Sequence, residues 1–272
     1  MNGTFERALI IAGAARSGTS WLGQILDSSP DVRFRFQPLF SYAFKDRLDY
    51  ESTSEDIQEF LEDLYQSKDD FLLQTDKRTS GQYPVFKKNS SENLLVLKEN
   101  RYQYLFTKIL NNTKNVKFLG IIRNPCAVLS SWVKNPKEFP PGSKIQNEWR
   151  LGQCKNQGKE EEFFGYYKWK EIANLYLDLN DRWPKRVHIV RYEDLVADTN
   201  EQALRIFQFA ELPSHPQMEE FLSECNQVIV DTPYSVFKSK DAKDRWRKDF
   251  PQNITDEIYA DISGTRLEQF LI

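Results

Sequence analysis

The sequence predicts a single α/β domain over residues 1–272, with a central, mostly parallel sheet flanked by helices. A fully apolar segment at 8–12 and two mainly apolar ones at 116–122 and 186–190 have the composition of strands that are buried on both faces of a sheet. Between them lie amphipathic segments whose apolar residues recur every three or four positions. Because the two kinds of segment alternate along the chain, we expect a doubly wound parallel sheet.

Composition and charge limit the class of protein. At 272 residues with 40% hydrophobic content, the chain can bury a substantial core. The net charge of −3 argues against a protein that coats nucleic acid, so we expect no nucleic-acid partner. No apolar run approaches the roughly 18 residues that span a bilayer, and the first residues lack the order of a secretory signal. We therefore expect a soluble, cytoplasmic chain or the soluble part of a larger protein.

The helices are predicted from apolar spacing at 21–26, 57–64, 102–109 and 203–207, the last with Thr199 as its N-cap and Gln202 completing a capping box. Two polar stretches, 74–93 and 134–162, are too long to be plain connections. We expect them to frame a site. Three widely spaced cysteines, an odd number, predict buried thiols rather than a disulfide framework.

A glycine-rich loop follows the first strand in the segment "IIAGAARSGTSW". Gly13 and Gly18 have the spacing of a P-loop, but Thr19 stands where that loop carries its lysine. The backbone N–H groups of such a turn and the positive end of the next helix bind an anion, and Arg16 lies within reach. The alternative is a tight strand-to-helix turn without a ligand. If the loop is functional, the sequence predicts a P-loop-like anion site.

A second strand, turn and helix occur in "IIRNPCAVLSSW". Arg123 follows the strand at a point where an enzyme that uses a nucleoside triphosphate places an aspartate for Mg²⁺. An arginine in place of the aspartate favours a ligand that binds without a metal and has two anionic ends. The guanidinium of Arg123 and the hydroxyl of Ser131 would then hold one phosphate. The alternative is a capping arginine followed by surface serines.

These motifs resemble the sulfotransferases that use 3′-phosphoadenosine-5′-phosphosulfate (PAPS). "RSGTSW" is similar to the family's loop for the 5′-phosphosulfate, and "RNPCAVLSSW" to its 3′-phosphate site. "VRYEDLVADT" and "FKSKDAKDRWRKDF" are two further similar segments, in the second of which Trp246 is the structural anchor. The segment "PDVRFRFQPLFSYAF" resembles the carbohydrate sulfotransferase branch.

The resemblance implies a role for each matching residue. The 5′-phosphosulfate is assigned to Arg16, Ser17, Gly18, Thr19 and Ser20; adenine to Trp21, Tyr192 and Thr232; and the 3′-phosphate to Arg123, Ser131 and Lys240. Trp21 has core packing as an alternative, and the two roles are compatible. The implied ligands are PAPS and its product 3′,5′-bisphosphoadenosine (PAP), with no metal and with a carbohydrate as the expected acceptor.

The catalytic candidates are Arg16, Lys98, Glu99 and Gln37. Sulfuryl transfer needs positioned cations, for which Arg16 and Lys98 are the candidates. It also needs a proton acceptor, yet Gln37 stands where the carbohydrate branch has the glutamate of "EPL", and an amide cannot accept a proton at neutral pH. Either Glu99 serves instead, or the acceptor needs little base assistance, or Gln37 marks a substituted or divergent protein.

Three functions remain open at this point. The first is sulfuryl transfer from PAPS to a hydroxyl or amine. The second is a Mg-ATP-dependent small-molecule kinase with a degenerate P-loop, and the third is a PAPS- or PAP-binding protein that has lost turnover. Independence from Mg²⁺ separates the first from the second, and measured turnover separates it from the third.

Overall fold

The computed structural model describes residues 5–90, 92–227 and 244–271. Its five strands are β1 (Arg7–Gly13), β2 (Val32–Phe36), β3 (Leu94–Lys98), β4 (Val116–Ile122) and β5 (Val187–Arg191). They form one sheet in the order β2-β3-β1-β4-β5, and every neighbouring pair is parallel. The predicted fold class is confirmed, and the described sheet is parallel throughout.

Helices cover both faces of the sheet. In chain order they are α1 (Thr19–Asp27), α2 (Ser54–Gln66), α3 (Asp70–Leu73), α4 (Thr75–Thr79), α5 (Phe106–Asn112), α6 (Pro125–Val133), α7 (Ile145–Glu148), α8 (Tyr166–Arg182), α9 (Tyr192–Ala197), α10 (Thr199–Phe209), α11 (Pro216–Gln227), α12 (Trp246–Asp249) and α13 (Gln252–Ile262). Short 3₁₀ turns occupy Pro38–Phe40, Gln103–Leu105 and Glu268–Phe270.

Successive side chains of β1 enter two different apolar cores. Ile10 packs with residues of α2, α5, α6 and α8, whereas Leu9 and Ile11 pack with α1, α10 and α11. Side chains alternate between the faces of a strand, so a strand covered on both faces is apolar at most of its positions. This is why 8–12, 116–122 and 186–190 stand out in the sequence.

The apolar-run criterion does not delimit β2, because arginines alternate with its apolar residues. Arg35 is nevertheless buried, and its guanidinium donates to the carbonyl oxygens of Leu64, Tyr65 and Ser67 at the end of α2. A buried cation is tolerated when all its donors are paired. Arg35 therefore fastens an edge strand to the helix that covers it.

The predicted capping box of α10 is wrong by one residue. Asp198 is the N-cap and its side chain accepts the backbone N–H of Glu201. The Thr199 hydroxyl instead donates back to the carbonyl of Leu195 in α9. Because only Asp198 separates α9 from α10, the hydroxyl of Thr199 reaches a carbonyl oxygen in the last turn of α9.

The cysteine prediction is confirmed for the thiol state: all three are free, with Cys126 and Cys225 buried and Cys154 partly buried. Within the described residues, no helix has the length and apolar character needed to cross a membrane. The cytoplasmic location stays a prediction.

A buried carboxylate attaches the 74–93 stretch to the body of the domain. Asp27, at the end of α1, accepts hydrogen bonds from Arg78 at 2.7 Å and Lys88 at 2.9 Å. Burial by itself raises the pKa of Asp27, but the charges and hydrogen bonds of Lys88 and Arg78 bring it below its ordinary value. The stretch is therefore held in a fixed place beside α1.

Replacing Asp27 by asparagine should destabilise the fold. Removing one partner of a buried ion pair costs about 3 kcal/mol, at the low end of the usual range because Arg78 and Lys88 stay partly hydrated. Since the folded-state pKa of Asp27 is depressed, the contribution exists at neutral pH and is lost as pH falls through that pKa. Urea unfolding at pH 7 and at about pH 3, below the ordinary pKa of 3.8, should show that the stability difference between the wild-type protein and Asp27→Asn narrows in acid. Asp63→Asn, in an exposed pair with Arg47, is the control and should change stability by less than about 1 kcal/mol.

Candidate active site

The carboxyl ends of three strands bring the predicted site residues to one edge of the sheet. Gly13 at the end of β1 is paired with Ile121 of β4, and Ile11 is paired with Lys98 at the end of β3. The loop after β1, Arg123 after β4 and Lys98 therefore lie side by side. In open parallel sheets, this edge is where ligands bind.

The loop after β1 is shaped by two unusual backbone conformations and one close contact. Gly18, the residue before α1, has φ of 96°, and Arg16 has φ of 66°. A Cβ on Gly18 would lie 2.7 Å from Cδ2 of Tyr192. Only glycine can adopt that φ and also leave room for the Tyr192 ring. The contact with Tyr192 and the turn conformation therefore each require glycine at position 18.

Arg16 and Arg123 belong to one cluster. Nη1 of Arg123 donates to the carbonyl oxygen of Arg16 at 3.1 Å, and Nε of Arg16 donates to Oγ of Ser131 at 3.3 Å. The Arg123 guanidinium also lies over the ring of Tyr192, 4.3 Å from its centroid. Four of the predicted ligand-binding residues, from three separate segments, thus contact one another.

Trp21 is a core residue. It is 5% exposed, meets the Tyr192 ring edge-on with centroids 6.4 Å apart, and belongs to the same apolar core as Cys225 of α11. The structure therefore bears out the packing alternative for Trp21. Its role toward adenine stays a prediction.

The chemistry of the loop fits a phosphate-type anion. The Ser17 hydroxyl oxygen is buried and has no hydrogen-bond partner among the described residues. Thr19 accepts from the amide of Asn100 at 3.0 Å, and Ser20 lies 3.4 Å from Nζ of Lys98. A buried hydroxyl without a partner is costly unless a ligand satisfies it. A helix N-terminus, an unpaired hydroxyl and several cations together suit an oxyanion.

Lys98 is a buried cation at the centre of this edge. It is 3% exposed, and its ammonium lies 4.4 Å from the centroid of the Phe36 ring. Lys77, from the 74–93 stretch, lies 4.9 Å from the same centroid. Burial, and then the charge of Lys77, lower the pKa of Lys98 to about 7. A bound anion would restore the charge that burial disfavours.

The side chain of Glu99 accepts hydrogen bonds from two neighbouring backbone turns. Its Oε2 accepts the N–H of Leu39 at 3.1 Å and its Oε1 accepts the N–H of Arg101 at 3.2 Å. The residue is 1% exposed, and burial raises the pKa of its carboxyl to about 7 against the effect of these bonds. Gln37, which has φ of 41° and donates its N–H to the carbonyl of Lys98 at 2.7 Å, begins the turn that Glu99 holds. Glu99 therefore fixes the position of the "QPL" segment.

Sequence reasoning missed two charged residues at this edge. Nη1 of Arg16 lies 3.6 Å from Oε2 of Glu138, which comes from the 134–162 stretch. Arg101 is stacked between the rings of Phe40 and Phe163, at 4.5 and 4.6 Å. No local motif marks either residue, because each acquires its neighbours only through the fold. The expectation that 134–162 frames a site was the one available signal.

The C-terminal segment is described only in part. Thr232 and Lys240 lie outside the described residues. Trp246, the predicted anchor, is buried and meets Phe250 edge-on at 6.4 Å. In the part of the chain that the structure describes, no group of three or more His, Cys, Asp or Glu side chains is placed to hold a metal ion.

Cavity size does not mark this site. A cleft of about 480 Å³ lies elsewhere, between α2 and the turn before β4, and is lined mainly by glutamates and polar side chains. It shares no residue with the cluster around Arg16. The chemistry of the strand ends, rather than volume, identifies the candidate active site.

The sequence model of the sulfotransferase family matches residues 8–216. The chain therefore belongs to the sulfotransferase family. It is 26% identical to carbohydrate sulfotransferase 3 of Tetronarce californica over 144 residues, and also 26% identical to that of Homo sapiens over 153 residues. These matches cover 52% and 54% of this chain but only 32% and 31% of the relatives, so the chain spans about a third of their length.

Solved structures support the fold across nearly the whole chain. The mouse sulfotransferase SULT7A1 in complex with PAP is 13% identical with a TM-score of 0.56, covering 99% of this chain and 89% of that one. Retinol dehydratase in complex with retinol and PAP is 13% identical with a TM-score of 0.57, covering 97% and 83%. The sulfotransferase domain of the Synechococcus PCC 7002 olefin synthase is 17% identical with a TM-score of 0.52, covering 96% of both chains.

Replacing Lys98 by methionine tests whether burial of its ammonium group lowers its pKa and makes protein stability depend on pH. The folded-state pKa is about 7, whereas lysine in an unfolded chain titrates near 10.4. Between these values the unfolded chain binds the extra proton, so the free energy of unfolding of the wild-type protein rises with pH. Lys98→Met should remove that rise, which urea unfolding at pH 7, 8, 9 and 10 would measure. The exposed Lys185→Met is the control and should keep the wild-type slope, while an unchanged slope in Lys98→Met would contradict the prediction.

Proposed function

We propose that this protein transfers a sulfuryl group from PAPS to a hydroxyl or amine, with a carbohydrate as acceptor. The observation that carries the proposal is the contact between Arg16 and Arg123, because one ligand with two anionic ends then faces both guanidinium groups. Membership of the sulfotransferase family and similarity to carbohydrate sulfotransferase 3 support the reaction and the acceptor class.

PAPS supplies the activated sulfuryl group, and the chain supplies cations, N–H donors and hydroxyls to hold it. We assign the 5′ end to Arg16, Ser17, Gly18, Thr19 and Ser20; the 3′-phosphate to Arg123 and Ser131; and adenine to Tyr192 and Trp21. Thr232 and Lys240 complete the same assignment by resemblance. The orphan hydroxyl of Ser17 is the structural feature that most directly calls for an anion.

The cations stabilise charge rather than transfer protons. The guanidinium of Arg16 serves to offset negative charge as it develops. Lys98 faces Ser20 at the same edge and adds a second positive charge where burial strengthens the interaction. Fixed donors of this kind lower a barrier because they need no reorganisation during the reaction.

An aromatic wall lies beside Lys98 and is suited to an acceptor. Phe36 and Phe40 both pack on Phe71, with centroids 5.5 and 6.3 Å away, and Phe40 is 48% exposed. Arg101 also lies over the Phe40 ring, 4.5 Å from its centroid. Exposed ring faces beside cations bind sugars, whose C–H faces are apolar and whose hydroxyls and acidic groups are polar.

A PAP-binding protein without turnover is the second candidate. Gln37 replaces the expected glutamate, and both oxygens of Glu99 are occupied by backbone N–H groups. This candidate predicts PAP binding with no sulfate transfer to any acceptor. The kinase alternative predicts ATP binding that requires Mg²⁺.

Thermal unfolding with PAP in the presence of a chelator tests the ligand site. We expect millimolar PAP to raise the melting temperature without Mg²⁺, because binding to the folded state alone stabilises it. Arg123→Met should abolish the shift, whereas Arg205→Met, an exposed residue of α10, should retain it. Radiolabelled sulfate transfer from PAPS to a panel of glycans, phenols and peptides then tests turnover. No PAP shift in the wild-type protein would exclude the proposal.

Phe40→Ala tests the aromatic wall. Loss of a stacking face should raise KM for the acceptor by about tenfold, corresponding to about 1.4 kcal/mol. The affinity for PAP should not change, because Phe40 lies outside the arginine cluster. Steady-state kinetics and PAP titration measure the two quantities. Leu204→Ala, at an exposed position on α10, is the control, and an equal effect on PAP affinity would contradict the assignment.

A further inference from the structure

We propose that Glu138 is the general base that takes the proton from the acceptor hydroxyl. The inference rests on the proposed function and names a catalytic residue for it. It answers the question that the glutamine of "QPL" raises, namely which carboxylate serves a site whose expected glutamate is replaced.

Glu138 stands among the cations of the candidate site. Its Oε2 lies 3.6 Å from Nη1 of Arg16, and its side chain is 22% exposed. Its charge also acts on Lys98 and on Arg101, which come from the end of β3 and the turn after it. The carboxylate therefore contacts Arg16 through Oε2, which is itself buried. The remainder of the side chain is partly exposed, which gives an incoming hydroxyl a path to this base.

The backbone of Glu138 is held in place by a tight turn. Its carbonyl accepts the indole N–H of Trp132 at 2.9 Å, and its N–H donates to the carbonyl of Asn135 at 2.9 Å. Phe139, the next residue, is buried and meets Trp132 edge-on with centroids 5.0 Å apart. The carboxylate is therefore presented from a rigid support, as catalytic groups require.

The other candidates in the cluster are less suited. Glu99 is 1% exposed and both of its oxygens hold the turns around it, so using it as a base would release those turns. Gln37 has no basic atom in the neutral range. Of the carboxylates described at this edge, Glu138 combines proximity to Arg16 with solvent access.

The transfer balances with Glu138 as the proton acceptor. The acceptor oxygen forms a bond to sulfur while its proton passes to the Glu138 carboxylate. The bond between sulfur and the bridging oxygen breaks, and its electron pair stays on the 5′-phosphate of PAP, whose charge Arg16 offsets. The protonated Glu138 then returns its proton to solvent through its exposed side.

The ion pair with Arg16 adds a consequence for binding that does not depend on turnover. In the free protein, the negative charge of Glu138 partly neutralises Arg16 and repels an incoming anion. Removing the charge should therefore strengthen PAP binding, by up to about fivefold for a partly exposed pair. Loss of the charge should thus lower kcat without weakening PAP binding.

Glu138→Gln, measured for both kcat and the Kd of PAP, tests the inference. We expect kcat to fall by about 100-fold or more while PAP binds equally or more tightly. Glu138→Ala should show the same loss, and formate, a small carboxylate that fits the vacated space, should restore part of kcat. Glu201→Gln on the exposed face of α10 is the control and should leave kcat and Kd unchanged.

Several results would contradict a role of Glu138 as the general base. A kcat within about threefold of wild type in Glu138→Gln would overturn the assignment, and so would a parallel loss of kcat and PAP affinity, which indicates a structural role. Failure of formate to restore any kcat in Glu138→Ala would overturn it as well. A wild-type protein that binds PAP but transfers no sulfate to any acceptor would instead overturn the proposed function, and Glu138 as a base with it.

Discussion

The hydrogen bond from Arg123 to the carbonyl of Arg16 is the contact on which the site depends. It joins the loop after β1 to the segment after β4, and the stacking of Arg123 on Tyr192 adds the segment after β5. Tyr192 in turn packs against Gly18 so closely that no side chain fits there. Three strand ends are thus locked together, and the loop N–H groups and cations are oriented before any ligand arrives. Preorganisation of this kind is what electrostatic catalysis needs.

Burial at the end of β3 disfavours the charged forms of two ionisable side chains. Lys98 and Glu99 are adjacent in sequence and both almost fully buried, and burial moves the pKa of each to about 7, from opposite directions. Lys98 is suited to gain charge when an anion binds beside Ser20. Glu99 instead uses its oxygens to hold the turns around Gln37 and Arg101. Of these two neighbouring residues, Lys98 is therefore suited to contact a ligand, and Glu99 stabilises the surrounding backbone.

The two long polar stretches attach the site to the rest of the domain. The stretch 74–93 is fastened through Asp27 and places Lys77 above Phe36, while 134–162 places Glu138 beside Arg16. Their length in a compact domain indicated that they had a role at a site. Which of their side chains face it depends on contacts with residues distant in the sequence, such as Phe36 for Lys77 and Arg16 for Glu138, so no local pattern reports them.

The sequence alone determined the parallel α/β fold, the glycine loop after β1 and the arginine after β4, because these follow from apolar runs, glycine spacing and residue type at short range. It did not delimit β2, whose buried Arg35 is tolerated only because α2 supplies carbonyl acceptors. It left Glu99 as one of three explanations for the missing base, whereas the fold occupies both oxygens of that carboxylate with backbone N–H donors. Only the tertiary structure decided which charges meet at the strand ends, since proximity between distant segments depends on how helices and loops pack around the sheet.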